Sequence, residues 1–227
     1  MDMVYRLPSI ELVRSRNEFI TSYCTGKRVL HLGCAESGNA AQSIDHGTLL
    51  HQRLLDVATA VTGVDLDGKS IALLRQQGMS NLVEGDVEQL DALALDGPFD
   101  VVVAGEILEH LSNPGRCLDG VSRLMERFGA TLLLTVPNAF SVRHAIPMAA
   151  WRKEFVMPDH TAYFSPSTLT ALLGRYHLQI ERFYAHSNTE QIASRSKRAL
   201  KRVLDATLFT LAPQLAEGLI AVARRAT

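Results

Sequence analysis

The sequence has little cysteine, and its three cysteines do not form a recognisable pattern. Cys24, Cys34 and Cys117 show no CxxC spacing, so a disulfide framework is not predicted and a reducing, cytoplasmic compartment is expected. The N-terminal stretch MDMVYRLPSIELVRSR is too charged to be expected as a signal peptide. No apolar run reaches the roughly 18 residues that a membrane-spanning helix requires.

The sequence also has no excess of charge of either sign. Its 23 lysines and arginines balance 24 acidic residues, which gives a formal net charge of -1. Nothing in this overall balance favours a nucleic acid as partner. With 227 residues, of which 47% are apolar, the chain can bury a sizeable core, and we expect a single domain over residues 1–227.

Strand and helix patterns alternate along most of the chain. An amphipathic stretch over 9–23 predicts a helical N-terminal preface within residues 1–26. After it, short apolar runs that end in glycine or aspartate alternate with helical patterns, and Asn113-Pro114 is typical of a helix start. Five such β-then-α steps predict an α/β fold with one doubly wound, mostly parallel sheet.

Residues 137–165 interrupt this alternation with a long stretch that contains two prolines beyond Pro137 and the only tryptophan. The stretch follows the fifth predicted strand, so it should lie above the carboxyl ends of the strands, where open α/β sheets bind ligands. We therefore expect it to form a lid over a substrate. A packed surface excursion is the alternative.

Polar or small residues follow three consecutive predicted strands. Gly33 lies in HLGCAESG after the first, Asp65 ends the second in GVDLD, and Asp86 ends the third in VEGD. A glycine lets the backbone approach a ligand closely, and a strand-end carboxylate can accept hydrogen bonds from ribose hydroxyls. Asp86 could accept from an adenine amino group. Together the three predict a nucleoside site.

The segments VLHLGCAESG, VTGVDLD, LVEGDVEQL, FDVVVAGEILEHLSNP and LLLTVPN resemble the class I S-adenosylmethionine-dependent methyltransferases. The resemblance covers roughly residues 27–186 and the last predicted strand. It implies a seven-stranded sheet whose last strand, EGLIAVARR, is antiparallel. It also implies S-adenosylmethionine as cofactor, bound by a set of strand-end residues: Gly33, Cys34, Ala35, Asp65, Leu66, Asp86, Val87 and Glu106.

The first motif departs from the pattern of the family it resembles. That pattern reads acidic-x-Gly-x-Gly-x-Gly, and here the corresponding residues are His31, Gly33, Ala35 and Ser37, with Gly38 one place late. A protonated histidine cannot replace a carboxylate as acceptor for the cofactor's amino group. We expect His31 to make a structural hydrogen bond at the end of its strand.

GEILEHL, after the fourth predicted strand, carries the candidate chemistry. If it forms one helical turn, Glu106, Glu109 and His110 share a face and could hold Mg²⁺, Mn²⁺ or Zn²⁺. The segment resembles the Glu-x-x-Glu-His motif of ubiquinone-pathway O-methyltransferases and of enzymes that methylate the terminal 2′-hydroxyl of small RNAs. The latter resemblance assigns a further metal-binding histidine to His160. Without metal, His110 or His160 could act as the catalytic base that takes a hydroxyl proton.

Other polar residues permit weaker predictions. His46 and His51 flank a predicted helix, where they should cap it or face solvent. In the long segment, Arg143, His144 and Arg152 could contact an anion on the acceptor, and Trp151 and Phe155 could stack on a ring or pack onto the body. The segment SRSKRALKRVL lies within a basic amphipathic helix that we predict over 190–210. Residues 192–204 of this helix could contact a membrane. More commonly, such a helix buries its apolar face in the protein and exposes its basic face to solvent.

The sequence therefore predicts an O-methyltransferase for a small-molecule or sugar-containing acceptor, including a glycan- or lipid-linked one. Its pattern also looks like that of methyltransferases from polysaccharide and natural-product pathways. An RNA 2′-hydroxyl methyltransferase and a non-catalytic partner subunit with the same fold are the alternatives. An NAD-dependent dehydrogenase is disfavoured, because the glycine pattern is incomplete and that function does not explain GEILEHL.

Overall fold

The computed structural model describes residues 5–36, 38–187 and 207–226. They form one eight-stranded sheet with the order β1-β7-β8-β6-β5-β2-β3-β4. This arrangement confirms the predicted α/β class with a mostly parallel sheet. The strands are β1 (Ile10–Val13), β2 (Arg28–Leu32), β3 (Ala60–Asp65), β4 (Leu82–Glu84), β5 (Val101–Gly105), β6 (Thr131–Pro137), β7 (Leu178–His186) and β8 (Gly218–Arg225).

The last strand is reversed, as the family resemblance implies. β8 pairs antiparallel with both β6 and β7, whereas the other neighbouring strands are parallel. The carboxyl ends of β6 and β7 therefore meet the amino end of β8, where Gly218 pairs with Pro137 and with His186. Residues that follow β2, β3, β5, β6 and β7 consequently lie along the same edge of the sheet.

The prediction of seven strands is wrong by one, because the N-terminal segment adds an edge strand. The helical preface predicted over 1–26 is correspondingly wrong in its first half. Pro8 disfavours helix just before it, and Ile10 to Val13 pair in parallel with Phe183 to His186. The helix begins only at Arg16, after the Ser15 side chain accepts a hydrogen bond from the Glu18 backbone N–H.

Helices cover both faces of the sheet. The predicted start of α5 is confirmed: the Asn113 side chain caps it by accepting from the Arg116 N–H, Pro114 is its first residue, and Gly129 ends it with a φ of 67°. The helices are α1 (Arg16–Cys24), α2 (Ala40–Asp45), α3 (Leu50–Val57), α4 (Gly68–Gln76), α5 (Pro114–Phe128), α6 (Val142–Trp151) and α7 (Pro166–Gly174).

The core is divided by the sheet into two main apolar clusters. Along β5, Val102 and Ala104 belong to the cluster that also contains residues of α5 and α7, whereas Val101 and Val103 belong to the cluster with α1 and α3. Because successive side chains of a strand point to opposite faces, a strand buried on both faces is continuously apolar. This burial on both faces fixes where each strand ends, and therefore where the loops that follow the strands lie.

The long segment over 137–165 is not all loop, since it contains α6 with Pro147 inside the helix. Its two ends are held together: Asn138 forms a parallel bridge with Phe164, and the Ala139 N–H donates to the Phe164 carbonyl. Its role as a substrate lid remains a prediction. Residues 192–204 of the predicted basic helix lie outside the described residues. Among the described residues, no helix is long and apolar enough to cross a bilayer.

Candidate active site

The loop after β2 is held against the end of β3 by Asp65. The buried Asp65 carboxylate accepts a hydrogen bond from the Ala35 N–H at 2.8 Å through Oδ2 and from the Asp67 N–H at 3.0 Å through Oδ1. The Gly33 and Cys34 N–H groups donate to the Val64 carbonyl. Asp65 therefore shapes the predicted cofactor loop.

Gly33 occupies a position that few other residues could take. Its φ is 70°, in the left-handed region, and a Cβ atom there would lie 2.8 Å from Ile107 Cδ1. Only glycine adopts this conformation at little cost. The close approach brings the loops after β2 and β5 together, so that Gly33 and the GEILEHL segment lie side by side at the carboxyl edge of the sheet, where open α/β folds have their ligand crevice.

The other predicted cofactor residues follow β3, β4 and β5. Leu66 leaves 70% of its side chain exposed directly beside Asp65, whereas Val87 is buried. Asp86 caps the short 3₁₀ helix Val87–Ala92 by accepting from the Glu88 N–H at 2.8 Å, and it also accepts from the Gln89 side chain. An exposed leucine at a strand end offers an apolar surface to a flat ring, which suits the predicted adenine position.

Arg16 is a candidate site residue that the sequence reasoning missed. From the first turn of α1 its side chain reaches the carboxyl edge of the sheet, where Nε donates to Thr135 Oγ1 at 3.0 Å. A Cβ on Gly105 would lie 2.6 Å from its Nη2 atom, so Gly105 leaves room for the guanidinium. None of the ion pairs found over the described ranges involves Arg16. A half-buried guanidinium without a carboxylate partner suits a ligand carboxylate.

His31 makes the structural hydrogen bond expected of it, and its partner is His51. The two Nδ1 atoms lie 3.2 Å apart and both rings are buried. The expectation that His51 caps a helix or faces solvent is wrong, because α3 turns His51 into the core beside Leu50 and Leu54. Burial, then the His51 ring and the Arg16 guanidinium, hold the pKa of His31 well below its ordinary value. His31 is therefore neutral at physiological pH.

This buried pair predicts a loss of stability in acid. Burial lowers the pKa of His51 from 6.5 to about 4, so the unfolded chain binds more protons than the folded one between these values. The contribution of His51 to the free energy of unfolding is thus complete above pH 6.5 and declines as the pH falls towards 4. Between pH 7 and 4.5 we expect a decrease of about 2 kcal/mol from this group, measurable by urea unfolding at both pH values.

His51→Leu removes the titrating ring from an apolar environment and should flatten this pH dependence by about that amount. His46→Gln is the matched control, because His46 is exposed at the end of α2 and should leave the pH dependence unchanged. An equally steep loss of stability in acid for His51→Leu and the wild-type chain would contradict the assignment.

Glu106 follows β5 with a φ of 51°. The expectation that Glu106, Glu109 and His110 share one helical turn is wrong, because the helical turn is a 3₁₀ helix confined to Leu108–His110. The Glu106 carboxylate instead lies beside His186, whose Nε2 is 4.0 Å from Glu106 Oε1. His186 is buried at the end of β7, and its position beside Glu106 depends on the pairing of β7 with β8, which sequence spacing does not reveal.

Glu109 is a buried carboxylate without a hydrogen-bond partner. It is 1% exposed, and neither carboxylate oxygen has a hydrogen-bond partner. Burial, reinforced by the nearby Glu106 carboxylate, raises the pKa of Glu109 from 4.5 to about 8. A buried unsatisfied carboxyl group is costly, so this position indicates a proton, a cation or a ligand as partner.

Two of the predicted histidines lie beside this carboxylate. Ligand atoms of Glu109, His110 and His160 all lie within 4.8 Å of one another, and Glu106 is not part of this group. The rings of His110 and His160 pack edge to face with centroids 4.6 Å apart, and His160 Nδ1 is buried without a hydrogen-bond partner. Burial, then the His110 ring, lower the pKa of His160, which favours its neutral, proton-accepting form.

Polar contacts hold the His110 ring and the backbone beside His160. His110 Nδ1 lies 2.9 Å from Asp159 Oδ2, so that its Nε2 atom is available to accept a proton or bind a cation. The Thr161 N–H and hydroxyl donate to the Glu109 carbonyl at 2.8 and 3.1 Å. The end of the 137–165 segment is therefore attached to the segment that follows β5, although the two are about fifty residues apart in sequence.

The remaining candidates of the long segment divide into two groups. The His144 ring packs edge to face against the Tyr163 ring, with their centroids 5.4 Å apart. The Tyr163 ring in turn contacts the His160 ring. Trp151 and Phe155 instead are 64% and 53% exposed. The option that these two aromatic residues pack onto the body is therefore wrong.

A mostly parallel sheet with one reversed strand, a glycine loop tied to a strand-end aspartate and a histidine–carboxylate group on the same edge define a class I methyltransferase. The chain belongs to the family described as a methyltransferase domain, whose model matches residues 11–182. Its relatives include the ubiquinone biosynthesis O-methyltransferase of Xanthomonas oryzae pv. oryzae, at 28% identity over 170 residues. That alignment covers 69% of this chain and 64% of the relative, so the chain spans less than two thirds of the relative's length.

Solved structures share the fold at lower identity. A S-adenosylmethionine-dependent methyltransferase from Archaeoglobus fulgidus superposes with a TM-score of 0.55 at 18% identity, covering 92% of this chain and 94% of that one. A small RNA methyltransferase gives a TM-score of 0.57 at 16% identity, covering 96% of this chain and 27% of that one. Family membership implies S-adenosylmethionine as the cofactor.

Proposed function

We propose that the chain transfers the methyl group of S-adenosylmethionine to a hydroxyl oxygen of a small-molecule or sugar-containing acceptor. One observation carries this proposal. The Glu109–His110–His160 group, which can take a proton or hold a cation, lies on the same edge as the loop held by Asp65. An oxygen nucleophile requires its proton to be removed, and this group is suited to that task.

The residues around Gly33 are proposed to bind the cofactor, which supplies a methyl group on an excellent leaving group. Asp65 would accept hydrogen bonds from the ribose hydroxyls, and Leu66 and Val87 would border the adenine near Asp86. Arg16 would bind the carboxylate of the amino-acid end, because its guanidinium has room beside Gly105 and no ion-pair partner among the described residues. Glu106 and a neutral His31 would lie beside the amino group.

His110 is the proposed base, and His160 is the second candidate. Asp159 fixes the His110 ring through Nδ1, which leaves Nε2 with a lone pair that can accept a proton. The acceptor is proposed to enter beneath residues 137–165, because that segment is attached to Glu109 by Thr161. A correctly positioned base contributes about 10²–10⁴-fold to such a transfer.

The same residues fit a divalent metal ion. Two unpartnered oxygens of Glu109 and an unpartnered His160 Nδ1 are buried within reach of one another, and carboxylate with imidazole suits Mn²⁺ or Zn²⁺ better than Mg²⁺. Glu109, His110 and His160 would hold the ion, and its effect there would be to lower the pKa of the acceptor hydroxyl. Glu106 joins them only as a proposal from the sequence motif.

The test is methyl transfer from labelled S-adenosylmethionine to a panel of phenolic, sugar and RNA acceptors. We expect transfer to at least one hydroxyl compound, and loss of about 10²-fold or more of that activity in His110→Ala with unchanged binding of S-adenosylhomocysteine. Unchanged turnover of both His110→Ala and His160→Ala would eliminate the assigned bases.

Other outcomes would favour the alternative functions. Transfer to RNA alone, with affinity that falls steeply as salt is added, would favour an RNA 2′-hydroxyl acceptor. A chain that binds no S-adenosylhomocysteine at millimolar concentration would be a non-catalytic partner subunit. Tighter binding of NADH than of S-adenosylhomocysteine would indicate a dehydrogenase.

A further inference from the structure

Exposed apolar side chains are concentrated in one segment of the molecule. Of the thirteen large apolar side chains that the described residues expose, seven lie within residues 140–157, which we call the apolar arm. A local concentration of large exposed apolar side chains is unusual on a folded protein and indicates a binding surface. These seven are Phe140, Ile146, Met148, Trp151, Phe155, Val156 and Met157.

The apolar arm projects from the fold rather than contributing to its core. Its base is held by the hydrogen bond from Ala139 to Phe164, and Pro147 is the only buried residue of α6. In the apolar clusters that the described residues form, Val142 is the only residue of the arm that packs against a buried core. Substitutions of its exposed side chains should therefore leave the fold intact.

The charges of the arm have one sign up to residue 153. Residues 138–153 contain Arg143, Arg152 and Lys153 and no acidic residue, and the nearest acid is Glu154. Arg143 lies 3.6 Å from Glu217, whereas no ion pair within the described ranges involves Arg152 or Lys153. The arm therefore combines an apolar surface with free positive charge.

We infer that the apolar arm inserts into an anionic lipid surface. Ile146 and Met148 point about 160° apart around α6 at 100° per residue, on the two sides of the buried Pro147, so a flat protein surface could not cover both, whereas acyl chains can fill the space on each side. Phosphate headgroups would complement Arg152 and Lys153, and exposed tryptophan and phenylalanine suit the membrane interface. If two copies instead paired through their arms about a two-fold axis, the basic residues of one arm would face those of the other. The arm has no acidic patch that could pair with them.

The inference does not depend on the proposed methyl transfer, but it gives that reaction a location. The segment that forms the arm returns to the crevice through Asp159, His160 and Thr161. A membrane-bound arm would therefore place the crevice next to lipid, where an amphiphilic acceptor could enter without leaving the bilayer.

The single tryptophan makes the test direct. Trp151 lies in the arm and is the only tryptophan of the chain, so its fluorescence reports insertion. With vesicles that contain phosphatidylglycerol, we expect emission to shift to shorter wavelength and the full chain to float with the vesicles. Ile146→Ser with Met148→Ser and Phe155→Ser should weaken this binding by about tenfold or more. Arg152→Gln with Lys153→Gln should weaken it by about tenfold and reduce its salt dependence.

The matched control replaces exposed apolar residues of the N-terminal edge. Leu7→Ser with Leu12→Ser should bind vesicles as the wild type does, and all variants should retain the thermal unfolding midpoint of the wild type as a measure of folding. Equal vesicle binding by the arm variant and the control would overturn the inference. So would the absence of a Trp151 shift with anionic vesicles, or a dimer in solution that the arm substitutions dissociate.

Discussion

Asp65→Asn is expected to reduce the affinity for S-adenosylhomocysteine by about 100-fold. Both carboxylate oxygens of Asp65 already accept backbone N–H groups, from Ala35 and Asp67. An asparagine side chain would place its own N–H groups against one of these two backbone donors. The substitution would also remove the negative charge that is proposed to bind the ribose hydroxyls. Two charge-assisted hydrogen bonds contribute about 3 kcal/mol or more, which corresponds to at least two orders of magnitude in Kd. Isothermal titration calorimetry measures this change.

Asp67→Ala provides a matched control two residues away. The Asp67 side chain caps α4 by accepting from the Lys69 N–H and the Ser70 hydroxyl, so its removal should slightly lower stability without affecting ligand affinity. If Asp65→Asn bound S-adenosylhomocysteine within about threefold of the wild type, the position proposed for the ribose would be incorrect.

The parts of the fold that the sequence predicted well are those fixed by local physics. The apolar run of β5 is buried on both faces, and Asn113-Pro114 starts α5 by side-chain capping. Both features are determined by a few residues that are adjacent in the sequence. β1 was mispredicted because its stability comes from the exposed edge of β7, about 170 residues later in the chain. An amphipathic pattern over 9–23 cannot show that such an edge is available.

The candidate site divides in the same way. Gly33, Asp65 and Asp86 could be placed because each lies at or within two residues of the end of a strand, and parallel strand ends share an edge. Arg16 and His186 could not, because they reach the crevice from an N-terminal helix and from the end of β7. His51 was expected at the surface since histidine is often exposed, yet its only hydrogen-bonding neighbour in the described chain, His31, lies on another element.

The last prediction concerns Glu109, which distinguishes a metal site from a metal-free base. At neutral pH without metal, burial keeps the Glu109 carboxyl protonated, because its pKa is raised to about 8. Glutamine resembles the protonated form of the folded chain and, unlike Glu109, cannot ionise in the unfolded chain, so Glu109→Gln should make the metal-free fold more stable than the wild type at pH 7. If Glu109 holds a cation, the same variant should lose the stabilisation that Mn²⁺ or Zn²⁺ gives and about 10²-fold or more of its turnover.

The pH dependence of stability supplies a second readout for this variant. A carboxyl whose folded pKa is raised contributes stability that is complete below pH 4.5 and lost as the pH rises through 8. The metal-free wild type should therefore lose stability between pH 7 and 9, and Glu109→Gln should not; added Mn²⁺ should offset the loss in the wild type alone. Glu109→Ala and His160→Ala, assayed with and without a chelator, complete the comparison. If neither chelation nor Glu109→Gln changed the turnover, the metal proposal would be wrong. His110 would then take the proton unaided, and Glu109 would be a buried neutral acid beside it.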